Sequence, residues 1–185
     1  MKPNGMILGW IALNLIVLSG CSDHSVQESS ATRPPMVIEP NLNVGNIHSG
    51  MTVQQVITQL GEPQRRTANS LEYTRLGLAV MPGPDGLVKV VMCGDVTGIN
   101  GPFAKAFTGR TKAGIGMYST RNDVLKAYGE PTEARKMVGG GLESLYYQPL
   151  GITFTLEGGK VHHMIVRLGG PPEPDRTVSL APASN

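Results

Sequence analysis

The sequence predicts an α+β fold of two tandem units, each a short helix followed by a three-stranded antiparallel meander, with the helices packed on one sheet face. Three observations predict it. One stretch recurs at a constant offset, Thr52 to Pro63 and again Thr120 to Pro131. Both copies carry the start and stop signals of a helix. Both are followed by strand-like runs separated by Gly- and Pro-containing turns.

The chain does not open on fold. Met1 to Gly9 carries one positive charge, Lys2, and Met6 to Leu18 is mostly apolar. That run is too short for a permanent membrane span and fits the apolar core of a secretion signal. It ends in Leu18-Ser19-Gly20-Cys21, the pattern cut by the lipoprotein signal peptidase, so residues 1–20 read as a lipoprotein signal peptide. Cys21 becomes the lipidated first residue, and the covalent lipid is the only attached group expected. Each buried lipid methylene contributes about 0.8 kcal/mol, so several chains anchor the protein stably. Ser22 behind the lipidated Cys, where Asp commonly retains lipoproteins in the inner membrane, leans the address towards the outer membrane, facing the periplasm. Residues 21–44 are polar and contain Arg33-Pro34-Pro35, which reads as a flexible tether.

The first repeat is expected over 45–93 and the second over 111–168. Thr52 and Thr120 sit where an N-cap hydroxyl accepts from an orphan backbone N–H. Gln55 and Asp123 lie three residues on, where a polar side chain reaches back to the cap. Val53, Val56, Ile57 and Leu60 form one apolar face, repeated by Val124, Leu125 and Tyr128. Gly61 and Gly129 suit a helix end, and Pro63 and Pro131 forbid continuation. Strands are expected at Leu71–Arg75, Leu78–Met81 and Leu87–Cys93, and again at Ser144–Gln148, Gly151–Leu156 and Lys160–Leu168. The connector, 94–110, is Gly-rich, with Phe103 and Phe107 at a helix-like spacing. The tail, 169–185, is Pro-rich and reads as extended or disordered.

Gly50-Met51-Thr52, Val56, Leu60-Gly61 and Pro63, followed by an aromatic strand, resemble the SmpA/OmlA (BamE-like) superfamily of outer-membrane lipoproteins. Leu71-Glu72-Tyr73 stands where that family has a Trp-x-Tyr strand. The tandem pair resembles the architecture of the β-lactamase inhibitor protein. The resemblance implies a fold and no catalytic residue: Gly50, Thr52, Gly61, Pro63, Thr120, Gly129 and Pro131 are its fold-makers.

Composition excludes some functions. With 16 Lys and Arg against 14 Asp and Glu, there is no basic excess for nucleic acid. The two cysteines are Cys21 and Cys93, so no disulfide scaffold is expected, and Cys93 reads as a buried apolar residue at a strand end. His162 and His163 are adjacent on a strand, point to opposite faces and cannot chelate one metal together. No metal site, cofactor or catalytic group is expected. Tyr118, Tyr146 and Tyr147 are the candidate partner-binding residues, with one of the adjacent pair belonging to the core. The expected function is therefore a non-enzymatic, membrane-anchored protein-binding or scaffolding lipoprotein of the bacterial cell envelope, with a role in outer-membrane assembly or maintenance as one form. The alternatives are an inhibitor of an envelope enzyme and a small-ligand binding protein.

Overall fold

A computed structural model describes residues 36–95, 103–137 and 141–169. The expected signal peptide, Cys21, the expected tether up to residue 35 and the tail from residue 170 lie outside the described residues.

The expected α+β pair of helix-plus-three-strand units is corrected. Among the described residues the chain is mostly β, with two short α-helices and two sheets of four and eight strands. In the small sheet, β1 (Val37–Glu39), β2 (Asn43–Val44), β3 (Ile47–His48) and β8 (Arg110–Thr111) lie in the order β3-β2-β1-β8, with β1 and β8 parallel. The large sheet takes β4 (Arg65–Arg66), β5 (Leu71–Tyr73), β6 (Leu78–Pro82) and β7 (Val88–Gly94) from the first half. From the second half it takes β9 (Glu133–Lys136), β10 (Leu142–Tyr147), β11 (Ile152–Glu157) and β12 (Lys160–Arg167). The order is β4-β5-β6-β7-β12-β11-β10-β9, antiparallel throughout.

The extra strands have a physical cause. Arg65-Arg66 and Glu133–Lys136 follow each stop proline, are charged and show no apolar alternation, so nothing in them signals a strand. At a sheet edge, backbone pairing suffices, and their charges discourage further strand addition. The small sheet corrects the tether boundary: Ile38 and Val44 are fully buried, so folded structure begins before Gly45.

Helix α1 (Val53–Leu60) and helix α2 (Arg121–Tyr128) start at matching capping boxes. The Gln55 carboxamide accepts from the Thr52 N–H at 2.8 Å, and the Asp123 carboxylate from the Thr120 N–H at 2.8 Å. Gly61 and Gly129 end the helices at φ +83° and +74°, where a side chain would be strained. A tyrosine from the following sheet pins each end. Tyr73 donates its hydroxyl proton to the Gly61 carbonyl at 3.1 Å, and Tyr147 to the Gly129 carbonyl at 2.8 Å.

Both helices and the small sheet cover one face of the large sheet. Val56, Ile57, Val124, Ile38, Val44 and Ile47 join one core cluster with the inward residues Val80, Val91, Cys93, Tyr147, Phe154 and Met164. The connector forms no helical turn within 103–109 but runs across strand ends. Its Phe107 N–H donates to the Gly94 carbonyl at 2.9 Å. A Cβ at Gly77 would stand 2.2 Å from the Phe107 nitrogen, so only glycine admits this crossing.

Candidate functional site

Among the described residues neither helix nor the small sheet packs on the opposite face of the large sheet, although Phe103 of the connector reaches it beside Gly94 and His163. Strand alternation sends every second side chain outward, and the register aligns one row across all eight strands: Arg65, Glu72, Ala79, Met92, Ile165, Thr153, Tyr146 and Glu133. Its ends are charged and its middle is apolar. Met92, Ile165, Thr153 and Tyr146 are half-buried although neither described helix covers them, and Met81 and Val90 extend the apolar strip.

Towards β9 this face deepens into a groove of about 310 Å³, lined among others by Arg135, Tyr146, Gln148, Thr153, Ile165 and Arg167. The Arg135 guanidinium pairs with the Glu133 carboxylate and lies 5.4 Å from the centre of the Tyr146 ring. Such stacking holds a cation flat and fixed. Arg167 is exposed and, among the described residues, has no carboxylate within ion-pairing distance.

A second cluster sits where β7, β12 and the approach to α2 meet. Register shifts at Thr155/Leu156 against β12, leaving His162 as the extra residue of a β-bulge. His162 Nδ1 lies 2.7 Å from the carboxylate of Asp95, which is 1 % exposed, and 3.7 Å from that of Glu157. The Tyr118 hydroxyl also bonds Asp95, and its ring meets His162 edge-on at 5.6 Å. Tyr118 holds φ at +64°, unusual outside glycine, and is kept there by its N–H donating to the Val161 carbonyl at 2.7 Å. Partial desolvation and the Asp95 carboxylate push its phenol pKa above the ordinary value. This arrangement orients an imidazole by a carboxylate and links it to a phenol, a geometry able to hold or pass a proton.

His162 belongs to the cluster, and His163 faces Gly94 on the outer side of the sheet, 3 % exposed, with neither ring nitrogen hydrogen-bonded. A Cβ at Gly94 would lie 2.7 Å from the Phe103 ring and 2.8 Å from that of His163, so the glycine makes room for both rings. Desolvation lowers the pKa of His163, with Asp95 opposing that fall. Cys93 lies on the inner face opposite Leu78 and Met164, and burial pushes its thiol far above its ordinary pKa, which keeps it protonated and inert. Among the described residues no three His, Cys, Asp or Glu side chains are placed to hold a metal ion.

Of the candidate tyrosines, Tyr118 is 48 % exposed and belongs to the Asp95 cluster, and Tyr146 lines the groove. Tyr147 is buried in the core, which removes it from the binding candidates. Sequence reasoning missed Arg135 and Arg167, and did not pair Asp95 with His162. The faint signal available was Asp95 at the end of an apolar strand.

No protein-family model matches the chain, and a search of curated proteins found no match. Two solved structures are similar in shape. One is a DUF4309 family protein (YjgB) from Bacillus subtilis, 12% identical, with a TM-score of 0.46 over 67% of this chain and 83% of that chain. The other is an extracellular protein containing an SCP domain from Bacillus anthracis, 10% identical, with a TM-score of 0.40 over 75% of this chain and 56% of that chain. Neither likeness identifies a function.

Proposed function

We propose that this protein is a lipid-anchored binding module of the bacterial cell envelope that docks another envelope protein on the open face of its eight-stranded sheet. The observation that carries the reading is the outward row Met92, Ile165, Thr153 and Tyr146, half-buried side chains on a face that neither helix nor the small sheet covers. Apolar surface with a charged rim is the composition of a protein interface. The anchor is Cys21, behind the Leu18-Ser19-Gly20 sequence that fits lipoprotein processing. Tethering confines the module and its partner to one surface, so weak contacts give useful occupancy. The resemblance of the helix motif to BamE-like lipoproteins agrees with an envelope scaffold.

A photo-crosslinking residue placed at Ile165 or Val90 in the native envelope tests the docking face. A defined protein adduct is expected at both positions and not at Lys126, an exposed position on α2. Adducts of equal yield at all three, or none at Ile165 and Val90, would remove the sheet face as the docking surface. The anchor is tested separately by feeding alkyne-palmitate: label is expected on the wild-type chain and absent from Cys21→Ala.

A further inference from the structure

The groove beside Tyr146 lies on the docking face, and this inference rests on the docking reading above. Its two cations differ in state. Arg135 is compensated by Glu133 and held against the Tyr146 ring. Arg167 projects from the same face two residues beyond Ile165, exposed and without an ion-pair partner among the described residues. By contrast, Arg65 pairs with Glu72 and Arg121 with Glu143. Counting Arg135, Arg167 and Glu133, the groove is short of one negative charge. We propose that it seats the carboxylate of an Asp or Glu side chain from the docked protein, with Arg167 as the pairing group.

Charge and shape both favour a carboxylate. A planar guanidinium forms two parallel hydrogen bonds with a carboxylate. One carboxylate neutralises the groove, whereas a phosphate dianion would overshoot and face the Glu133 carboxylate. The volume of about 310 Å³ is at the lower end for ligand pockets and suits one side chain and its flanks better than a larger ligand. Ile165, Thr153 and the open side of Tyr146 continue from the cationic end into the apolar strip. An extended segment carrying an acidic residue beside an apolar one satisfies both ends at once.

The test uses the full chain carrying Cys21→Ala, held in detergent and followed by NMR. The probes are N-acetyl-Glu-Phe-amide, its Gln counterpart and inorganic phosphate. The glutamyl probe is expected to shift the Arg167 side-chain Nε and the Thr153 and Ile165 amides, with little effect from the glutaminyl probe. Arg167→Gln is expected to lose that response while keeping the same thermal unfolding midpoint. Equal shifts with the Glu and Gln probes, stronger shifts with phosphate, no response to the glutamyl probe, or an unchanged response in Arg167→Gln would each overturn the carboxylate seat. If the Ile165 adduct survives while the glutamyl probe has no effect, the docking face stands and only the seat is lost. If the wild-type chain gives no adduct, the docking face itself fails.

Discussion

At the residue scale, the chain spends stability on two histidines in different ways. His162 holds the Asp95 carboxylate on Nδ1. His163 has no hydrogen-bond partner among the described residues, and a charged imidazole there would be buried with only partial compensation from the Asp95 carboxylate. The consequence for pH has a definite sign. The pKa of His163 is lower in the folded chain than in the unfolded one, about 6.5. The unfolded state therefore takes up a proton first as pH falls. Stability is complete above about pH 6.5 and declines as pH drops towards the folded pKa. The carboxylates of Asp85 and Asp123, held down by Lys89 and by Thr120, add their own loss only below the usual carboxylate range. Urea midpoints measured between pH 7.5 and pH 5 are expected to fall for the wild type and to flatten in His163→Phe. Parallel pH profiles for the two proteins would show that His163 is not the group responsible.

At the scale of elements, each helix has only eight residues and is too short to persist alone in water. It survives because both ends are tied. The Thr hydroxyl and its partner satisfy the first turn, and a tyrosine from the next sheet binds the carbonyl at the last. Thr52→Ala and Thr120→Ala are each expected to cost about 1 kcal/mol. Tyr147→Phe, which keeps the packing against Phe154 and loses the bond to Gly129, is expected to cost a further amount of about 1 kcal/mol. Equilibrium denaturation of the three variants measures these losses. A Tyr147→Phe variant as stable as wild type would mean that the hydroxyl bond exchanges freely with water.

The whole molecule depends on one seam. Strands β7 and β12 pair antiparallel from His163 opposite Gly94 to Arg167 opposite Val90, and this pairing makes one sheet of the two halves. The core does not divide at the seam, since residues of both halves and of the small sheet belong to one cluster. Unfolding is therefore expected to be a single transition. Hydrogen exchange under mild denaturant should show the amides of β6 and β11 opening together, and Val166→Asp should weaken both. Protection lost from β11 while β6 remains intact would show that the halves are separately stable. The same seam makes the open face, because Met92 and Ile165 meet across it.

The sequence by itself determined the local signals: where each helix begins and ends, which side chains form its apolar face, and where the principal strands of each half lie. Those depend on caps, periodicity and turn residues only a few positions apart. Only the tertiary structure decided the number of strands and their assembly. Edge strands such as Arg65–Arg66 have no pattern of their own and exist through backbone pairing with a neighbour. The candidate sites were decided at the same level. Asp95 meets His162, and Arg135 shares a groove with Arg167, through strand register between residues remote in sequence. Register depends on how the buried faces of distant segments fit together, and no local pattern encodes that choice.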